Sequence, residues 1–240
     1  MFTVSTLRSV DRQVSIVNLY FSMATSTRSA KALKGAPSLP RSYHHGALRQ
    51  ALLDASVNLL REGGVEALSL RAVARAAGVS QTAPYRHFKD RRALVAGVAQ
   101  AAFARMGTAI ERAVKGGEPG IPALRRGIAA YVRFALKHEA EYRVMFGPEL
   151  ARRDDLPELN ETALSVFGLL RDGIARLQQG GALGAGDPGL MAISVWATLH
   201  GLVMLSLDGQ AAVTGRSVES LMEGVTGLLL AGMGAREHGR

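Results

Sequence analysis

The chain has 240 residues, 48% of them hydrophobic, so it is long enough to bury one large core or two smaller ones. It contains no cysteine, which excludes disulfide frameworks, thiolate nucleophiles and cysteine-ligated zinc and favours a reducing cytoplasm. The net charge is +9, and all of the excess lies in residues 1–92, which hold 14 Lys and Arg against 5 Asp and Glu. This confinement favours a nucleic-acid partner for the first part of the chain.

Residues 1–42 are predicted to form a disordered basic arm, because Ser, Thr, Pro and basic residues dominate its second half. Its uncharged stretch, Gln13–Thr27, is too short and too polar to cross a bilayer. We expect the basic part to lie along DNA phosphates or to enter a minor groove, and residues 1–22 to have no role of their own.

The first helix is predicted to begin at Tyr43 and to end at Gly63, with one apolar face formed by Leu48, Ala51, Leu52, Ala55 and Leu59. The adjacent His44 and His45 do not share a helix face, and no further ligand lies at a suitable spacing. No metal site is therefore predicted. We expect this helix N-terminus to contact the DNA backbone instead, since such ends favour anions.

Two short helices joined by a three-residue turn are predicted between Ser69 and Leu94. Ser69 is a good N-cap, and an apolar face follows it with helical spacing at Leu70, Val73, Ala74 and Ala77. Gly78 suits the turn, because glycine reaches positive φ without a Cβ clash. The pattern is typical of a helix-turn-helix, although a helical hairpin in some other all-α protein would produce it as well.

The second of these helices is predicted to run from Gln81 to Phe88, with Ser80 as its cap. Its apolar back consists of Val79, Pro84 and Phe88, and its polar front consists of Gln81, Thr82, Tyr85 and Arg86. A short helix with an apolar back and a polar front is typical of an element that lies in the major groove of DNA.

The residues Gly78-Val79-Ser80 and Tyr85-Arg86-His87-Phe88, followed by a basic helix start, resemble the DNA-binding signature of the TetR family of transcriptional regulators. Two positions depart from that signature. Pro84 stands where the family more often has Leu, and Arg91-Arg92 stands where Lys followed by an acidic residue is commoner.

The resemblance implies a set of DNA contacts. Gln81, Thr82 and Ala83 would face base edges, and Arg91 would take a phosphate contact. His87 would contact phosphate as well, or would be a core histidine with a satisfied hydrogen bond. The full set of expected DNA-binding residues is Arg71, Ser80, Gln81, Thr82, Ala83, Tyr85, Arg86, His87 and Arg91.

The rest of the chain is predicted to be helical, without strands. Asp90 caps a long helix that runs to about Lys115, and Pro119–Pro122 is a linker. Further helices are predicted at about Ala123–His138, Glu141–Phe146, Glu158–Gln179, Gly189–Leu207 and Ser217–Met233.

The stretch Gly189–Leu207 is uncharged, which favours either a membrane span or a helix buried between the core and a second subunit. Its polar residues and the lack of flanking basic clusters favour the buried helix.

Trp196 with His200-Gly201 resembles the W…HG pattern of one type of TetR C-terminal domain, and Tyr131–Leu136 and Tyr142–Phe146 fit the same type. The fold class is therefore expected to be all-α. The expected parts are a basic arm (1–42), a three-helix helix-turn-helix DNA-binding domain (43–92), a helical effector-binding and dimerisation domain (93–233) and a tail (234–240).

The resemblance also implies an effector pocket and a dimer interface. The expected pocket residues are Tyr131, Phe134, Met145, Phe146, Phe167 and Trp196. The expected interface residues, which would form a four-helix bundle with their mates, are Leu199, Val203, Leu221, Val225 and Leu228. Each of these residues would also be an ordinary core residue in a monomer.

The function implied is that of a cytoplasmic, ligand-responsive repressor, which binds a palindromic operator in double-stranded DNA as a homodimer and is released by a small apolar effector. No cofactor and no membrane partner are expected. One alternative is an architectural DNA-binding protein without effector control. An enzyme using His138, Glu139, His200 and Asp208 is disfavoured, because hydrolase, zinc-protease and phosphate-loop motifs are missing from the sequence. A membrane-associated helical protein is the remaining alternative.

Overall fold

A computed structural model describes residues 42–235, with side chains from residue 47 onward. Within this range the chain forms eight α-helices and no strand, which confirms the predicted all-α class. The helices are α1 Ser42–Gly63, α2 Leu70–Ala76, α3 Arg91–Lys115, α4 Ile121–Lys137, α5 Glu139–Met145, α6 Pro157–Gln179, α7 Pro188–Leu207 and α8 Val218–Gly232. Apart from Ser42, the predicted basic arm lies outside the described residues, as do residues 236–240 of the tail and the side chains of His44 and His45.

Short polar side chains fix where several helices begin. Ser69 Oγ accepts a hydrogen bond from the Ala72 N–H (3.1 Å), and Asp90 Oδ1 accepts one from the Ala93 N–H (2.7 Å). Each bond satisfies a first-turn N–H that the helix itself leaves unpaired. Gly78 follows α2 with φ of 67°, so the turn uses the conformation that only glycine adopts without strain. The caps predicted at Ser69 and Asp90 and the turn predicted at Gly78 are confirmed.

The segment from Ser80 to Phe88 is not the α-helix that the sequence predicts. Only Ala83–Arg86 is helical, as a short 3-10 turn. Pro84 explains the difference: it has no N–H to donate to the Ser80 carbonyl, and the Ala83 N–H reaches that carbonyl instead (3.0 Å). Ser80 does not cap a helix either, because its hydroxyl lies 3.2 Å from the Thr82 hydroxyl.

The long helix α3 is the centre of the molecule. Its buried side includes Leu94, Val98, Ala102, Phe103 and Met106, and it packs against α4, α5 and α6. Close packing against α6 depends on Gly107, since a Cβ there would lie 3.0 Å from Val166 Cγ2. The described residues from Ala51 onward form one compact unit. Within it α3 connects the predicted DNA-binding domain (43–92), called the head below, with the predicted helical domain (93–233), called the effector domain below.

The corner between α3 and α4 is tied by one arginine. Arg126 on α4 donates from Nε to the Ala113 carbonyl (3.0 Å) and from an amino group to the carbonyls of Val114 (3.2 Å) and Glu118 (2.6 Å). The first two carbonyls belong to the last turn of α3, where no intrahelical partner exists. A cation at this end also opposes the negative end of the helix dipole.

The predicted interface residues on α7 and those on α8 differ in how exposed they are. Leu199 and Val203 are 3% and 0% exposed in the single chain, so they belong to its core, and their assignment to a dimer interface is corrected. Leu221 and Val225 are half-buried, and Leu228 is 76% exposed. Because α7 is apolar all round, its sequence does not reveal which face points inward.

Two helices in the described range, α3 and α7, are long and apolar enough to cross a membrane by length and composition. A core helix of a soluble protein meets the same criteria, and 56% of the apolar window of α3 is buried in the chain. For α7 the buried share is 22%; most of its other residues are half-buried, and Leu190, Ser194, Ala197, Thr198 and Leu205 are exposed.

Candidate functional site

The predicted DNA-reading segment presents a polar front over an apolar back. Gln81, Thr82 and Arg86 are exposed, and Tyr85 is 53% exposed. Behind them Pro84 and Phe88 are buried against the head. The front therefore stays accessible although the segment is a 3-10 turn, because Pro84 and Phe88 anchor its back to the head.

The other predicted contact residues lie close to this front. Arg71 is exposed at the first turn of α2, Ser80 is exposed, and Ala83 is half-buried. His87 is half-buried too, with its ring 6.4 Å from that of Phe88, so it is placed between the front and the core.

Arg91 lies differently from what the resemblance implies. Its Nε donates to the Leu68 carbonyl (2.8 Å), one amino group donates to the Val65 carbonyl (2.6 Å), and the same group lies 3.8 Å from a Glu66 carboxylate oxygen. The guanidinium is thus bound to the turn between α1 and α2. These contacts give Arg91 a role in supporting the head, and a phosphate contact by its remaining amino group stays a prediction.

Arg92 is also engaged within the chain. It pairs with Asp155 and donates to the Arg152 carbonyl, in the loop that precedes α6. The hydrogen bond from Arg92 lowers the pKa of the exposed Asp155 carboxyl below its ordinary value. The start of α3 is therefore fastened to the effector domain as well as to the head.

A chain of polar groups lies in the centre of the effector domain. The Tyr142 hydroxyl is 2.6 Å from the Tyr131 hydroxyl and 2.6 Å from His200 Nδ1. Burial, and then the neighbouring Tyr131, raise the pKa of Tyr142 far above its ordinary value, and burial lowers the pKa of His200. Near pH 7 both groups are neutral, so the three side chains form a hydrogen-bonded chain without charge.

Aromatic rings surround this chain. The Phe146 ring lies 5.8 Å from that of Trp196 and 4.7 Å from that of His200, and Phe103 packs edge-on against it at 5.5 Å. The structure thus brings Tyr131, Phe146 and Trp196 of the predicted pocket into one cluster.

The remaining predicted pocket residues lie at other places. Met145 is fully buried, Phe134 stacks on His138 at 4.6 Å, and Phe167 is half-buried on α6.

Sequence reasoning did not include Tyr142 or Phe103 in this cluster. Tyr142 follows Tyr131 by 11 residues on the next helix, and no local periodicity connects them. Phe103 belongs to α3, whose apolar face looks like ordinary core. Within the part of the chain that the structure describes, no group of three or more His, Asp or Glu is arranged to hold a metal ion.

Comparison with known families supports both halves of this picture. Residues 52–103 match the family described as "Bacterial regulatory proteins, tetR family", and residues 124–228 match the family described as "Tetracyclin repressor-like, C-terminal domain". A search of curated proteins found no match.

Solved structures with the same fold include a protein of unknown function from Rhodococcus sp. RHA1, with 33% sequence identity, a TM-score of 0.72, and coverage of 82% of this chain and 100% of that chain. The TetR family transcriptional regulator PfmR from Thermus thermophilus has 24% identity, a TM-score of 0.57, and coverage of 75% of this chain and 97% of that chain.

A third similar structure is AibR in complex with isovaleryl coenzyme A and operator DNA, with 16% identity, a TM-score of 0.58, and coverage of 76% of this chain and 98% of that chain. At such identities the last two likenesses concern the fold. The two family matches, which cover the head and most of the effector domain, establish more: the chain belongs to the TetR family of bacterial transcriptional regulators.

Proposed function

We propose that this protein is a ligand-responsive repressor that binds a palindromic operator in double-stranded DNA as a homodimer and leaves it when a small apolar effector binds. Residues 43–92 serve as the DNA-binding head and residues 93–233 as the effector-binding and dimerisation domain. Residues 1–42 add a basic arm, and residues 234–240 are a tail. The protein acts in the cytoplasm.

The exposed front of Gln81, Thr82, Tyr85 and Arg86 carries the DNA-binding part of the proposal. A glutamine side chain pairs bidentately with adenine, and a threonine methyl contacts a thymine methyl. The exposed cation of Arg71 at the start of α2 suits a phosphate or a guanine. Because two donor groups of Arg91 are bonded to carbonyls of the head, we assign the main phosphate contacts to Arg71 and Arg86.

The uncovered faces of α7 and α8 support a homodimer. Leu190 and Leu205 on α7 are 57% and 47% exposed, and Leu228 on α8 is more exposed still. Several large apolar side chains exposed on two neighbouring helices favour an interaction surface, and two-fold dimers are the commonest oligomers. We therefore propose an interface of Leu190, Leu205, Leu221, Val225 and Leu228.

The aromatic cluster around Phe146 and Trp196 supports an apolar effector. Its rings provide the apolar wall that small-molecule sites need, and the polar chain from Tyr131 to His200 provides the few hydrogen-bonding groups that orient a ligand. An effector releases DNA only if it binds better to a conformation that does not fit the operator.

The test is selection of bound sequences from random DNA duplexes by the full-length protein. We expect a palindrome whose half-sites are spaced by about one helical turn or a longer in-phase distance. A gel-shift titration then measures affinity for this duplex against a scrambled duplex, and we expect a ratio of about a thousand or more.

An architectural DNA-binding protein remains the second candidate, because the basic residues of the head suit either role. It would bind both duplexes with similar, salt-dependent affinity and would enrich no motif in the selection. Enrichment of a palindrome excludes this candidate, and its failure to appear excludes the repressor.

A further inference from the structure

A buried carboxylate lies where the head, the connecting helix and the effector domain meet. Glu141 on α5 is 1% exposed, and its Oε1 atom lies 3.8 Å from an amino group of Arg61 in the last turn of α1. Its other oxygen pairs with Arg105 on α3. A buried carboxylate is strongly unfavourable unless cations compensate it, so Glu141 depends on two helices other than its own.

The two arginines are far less buried than the carboxylate that they share. The Arg61 side chain is 56% exposed and that of Arg105 is 48% exposed, against 1% for Glu141. If α5 moved away from α1, Arg61 would remain hydrated while the buried Glu141 lost one of its two compensating cations. The contact therefore favours one position of α1 relative to α3 and α5. Buried ionic groups are known to select one arrangement of helices in this way.

The other ionisable groups near Glu141 do not replace its pairing with Arg61 and Arg105. His138 Nδ1 lies 3.4 Å from Glu141 Oε1, and burial together with the cations of Arg105, Lys137 and Arg61 lowers the pKa of His138. The ring is neutral near pH 7 and adds no further cation. Asp54 on α1 acts electrostatically on Arg105 as well, so that the head contributes both an arginine and a carboxylate to this junction.

The same short helix also touches the aromatic cluster. Tyr142, the residue after Glu141, makes the hydrogen bonds to Tyr131 and His200, and Phe146 directly follows the helix and contacts Trp196. Successive residues on a helix point about 100° apart, so Glu141 and Tyr142 face different neighbours. A ligand that enters between Phe146, Trp196 and His200 must displace groups attached to α5.

We propose that Glu141 is a positioning residue that transmits the state of the effector domain to the DNA-binding head. While Arg61 and Arg105 hold its carboxylate, α1 is fixed to α3 and α5. Movement of α5 upon ligand binding pulls the carboxylate from Arg61 and frees the head to change its orientation. The ligand-dependent step rests on the proposed function, whereas the fixing of α1 by Glu141 does not.

Hydrogen–deuterium exchange of the full-length protein without DNA tests the fixing step. Glu141→Gln keeps the shape of the side chain but removes its charge. We expect exchange of amides in residues 52–63 of α1 to become faster by about tenfold, which corresponds to ~1.4 kcal/mol. Exchange in α6 and α8 should stay as in the unmodified protein, since neither helix contributes to the contact.

Glu139→Gln is the matched control. Glu139 is an exposed carboxylate on the same helix, and it pairs with Arg143 at 2.9 Å. Loss of an exposed ion pair has little effect, so we expect exchange in α1 to change by less than about twofold. Equal effects of the two variants, or faster exchange spread evenly over all helices, would overturn the proposal.

A mutant cycle guards against a Glu141 variant that folds poorly. Arg61 is exposed, and Arg61→Gln should leave the fold intact while it loosens α1 in the same pattern, to a smaller extent. Adding Arg61→Gln to Glu141→Gln should change exchange in α1 little further, because the partner is already lost. Additive effects would mean that the two residues act independently and would refute the contact as the cause.

DNA binding separates this inference from the proposed function. On a selected duplex we expect Glu141→Gln to weaken binding by about threefold to tenfold with an unchanged salt slope, because a looser head must be ordered upon binding. If the selection enriches no duplex, the proposed function fails while the exchange experiment still decides the role of Glu141. If a duplex is enriched and neither exchange nor affinity responds, the proposed function stands and this inference is wrong.

Discussion

Replacing Arg91 with alanine distinguishes a phosphate contact from support of the head. The change removes two hydrogen bonds from a charged donor, to the carbonyls of Leu68 and Val65. Bonds of this kind contribute about 1.5–3 kcal/mol each when they are fully buried. The Arg91 side chain is 40% exposed, so water replaces part of them. We expect Arg91→Ala to lower the free energy of unfolding by about 1–3 kcal/mol in total.

Urea denaturation of the full-length protein measures that loss of stability. Gel-shift titrations at several salt concentrations measure the affinity for DNA and its salt dependence. Each phosphate contact contributes about 0.9 to the slope of log affinity against log salt concentration. We expect the slope of Arg91→Ala to equal that of the unmodified protein. The control is Arg86→Ala, in the exposed front, which should lower the slope by about one contact while unfolding in urea stays unchanged.

Arg91→Lys refines the comparison, because lysine keeps the charge but lacks the forked guanidinium that reaches both carbonyls. We expect it to lose nearly as much stability as Arg91→Ala. The reasoning is refuted if Arg91→Ala is as stable as the unmodified protein and the salt slope falls by one contact, since the side chain would then be bound to phosphate.

Three further changes test other parts of the structure. Ser69→Ala removes the cap of α2 and should lower the free energy of unfolding by about 0.5–2 kcal/mol in urea, whereas Ser69→Thr should retain most of it. Gln81→Ala should relax the preference at one base pair of the selected duplex by about 1–3 kcal/mol without changing the salt slope, which competition gel shifts measure. Tyr142→Phe leaves the Tyr131 hydroxyl and His200 without their shared partner and should destabilise the fold by about 1–3 kcal/mol, as followed by thermal unfolding; an unchanged midpoint would contradict the hydrogen-bonded chain.

The helices could be predicted from the sequence because local chemistry sets their ends. Ser69 and Asp90 cap the two helices that the sequence assigns to them, and Gly78 adopts the positive φ that the turn demands. The form of the reading segment was missed for a local reason too. Pro84 has no N–H to donate to the Ser80 carbonyl, so the first α-helical hydrogen bond of the segment is missing and a 3-10 turn forms at Ala83–Arg86.

The partners of charged residues could not be predicted in the same way. The sequence counts Arg91 among the cations that meet DNA, but its acceptors are carbonyls 23 and 26 residues away. Glu141 gave no signal either, because Arg61 and Arg105 are distant in sequence. A count of charges therefore overstates the positive surface of the head, since several arginines neutralise groups of the protein itself.

The tie that Arg126 makes to the end of α3 has a consequence for chimeric regulators built from this chain. A fusion that joins its head to a foreign sensor just after Lys115 would discard the guanidinium that closes the final turn, and the cut helix would fray toward the head. A junction placed after Lys137 carries the whole corner along, so the transplanted reader should keep its own scaffold.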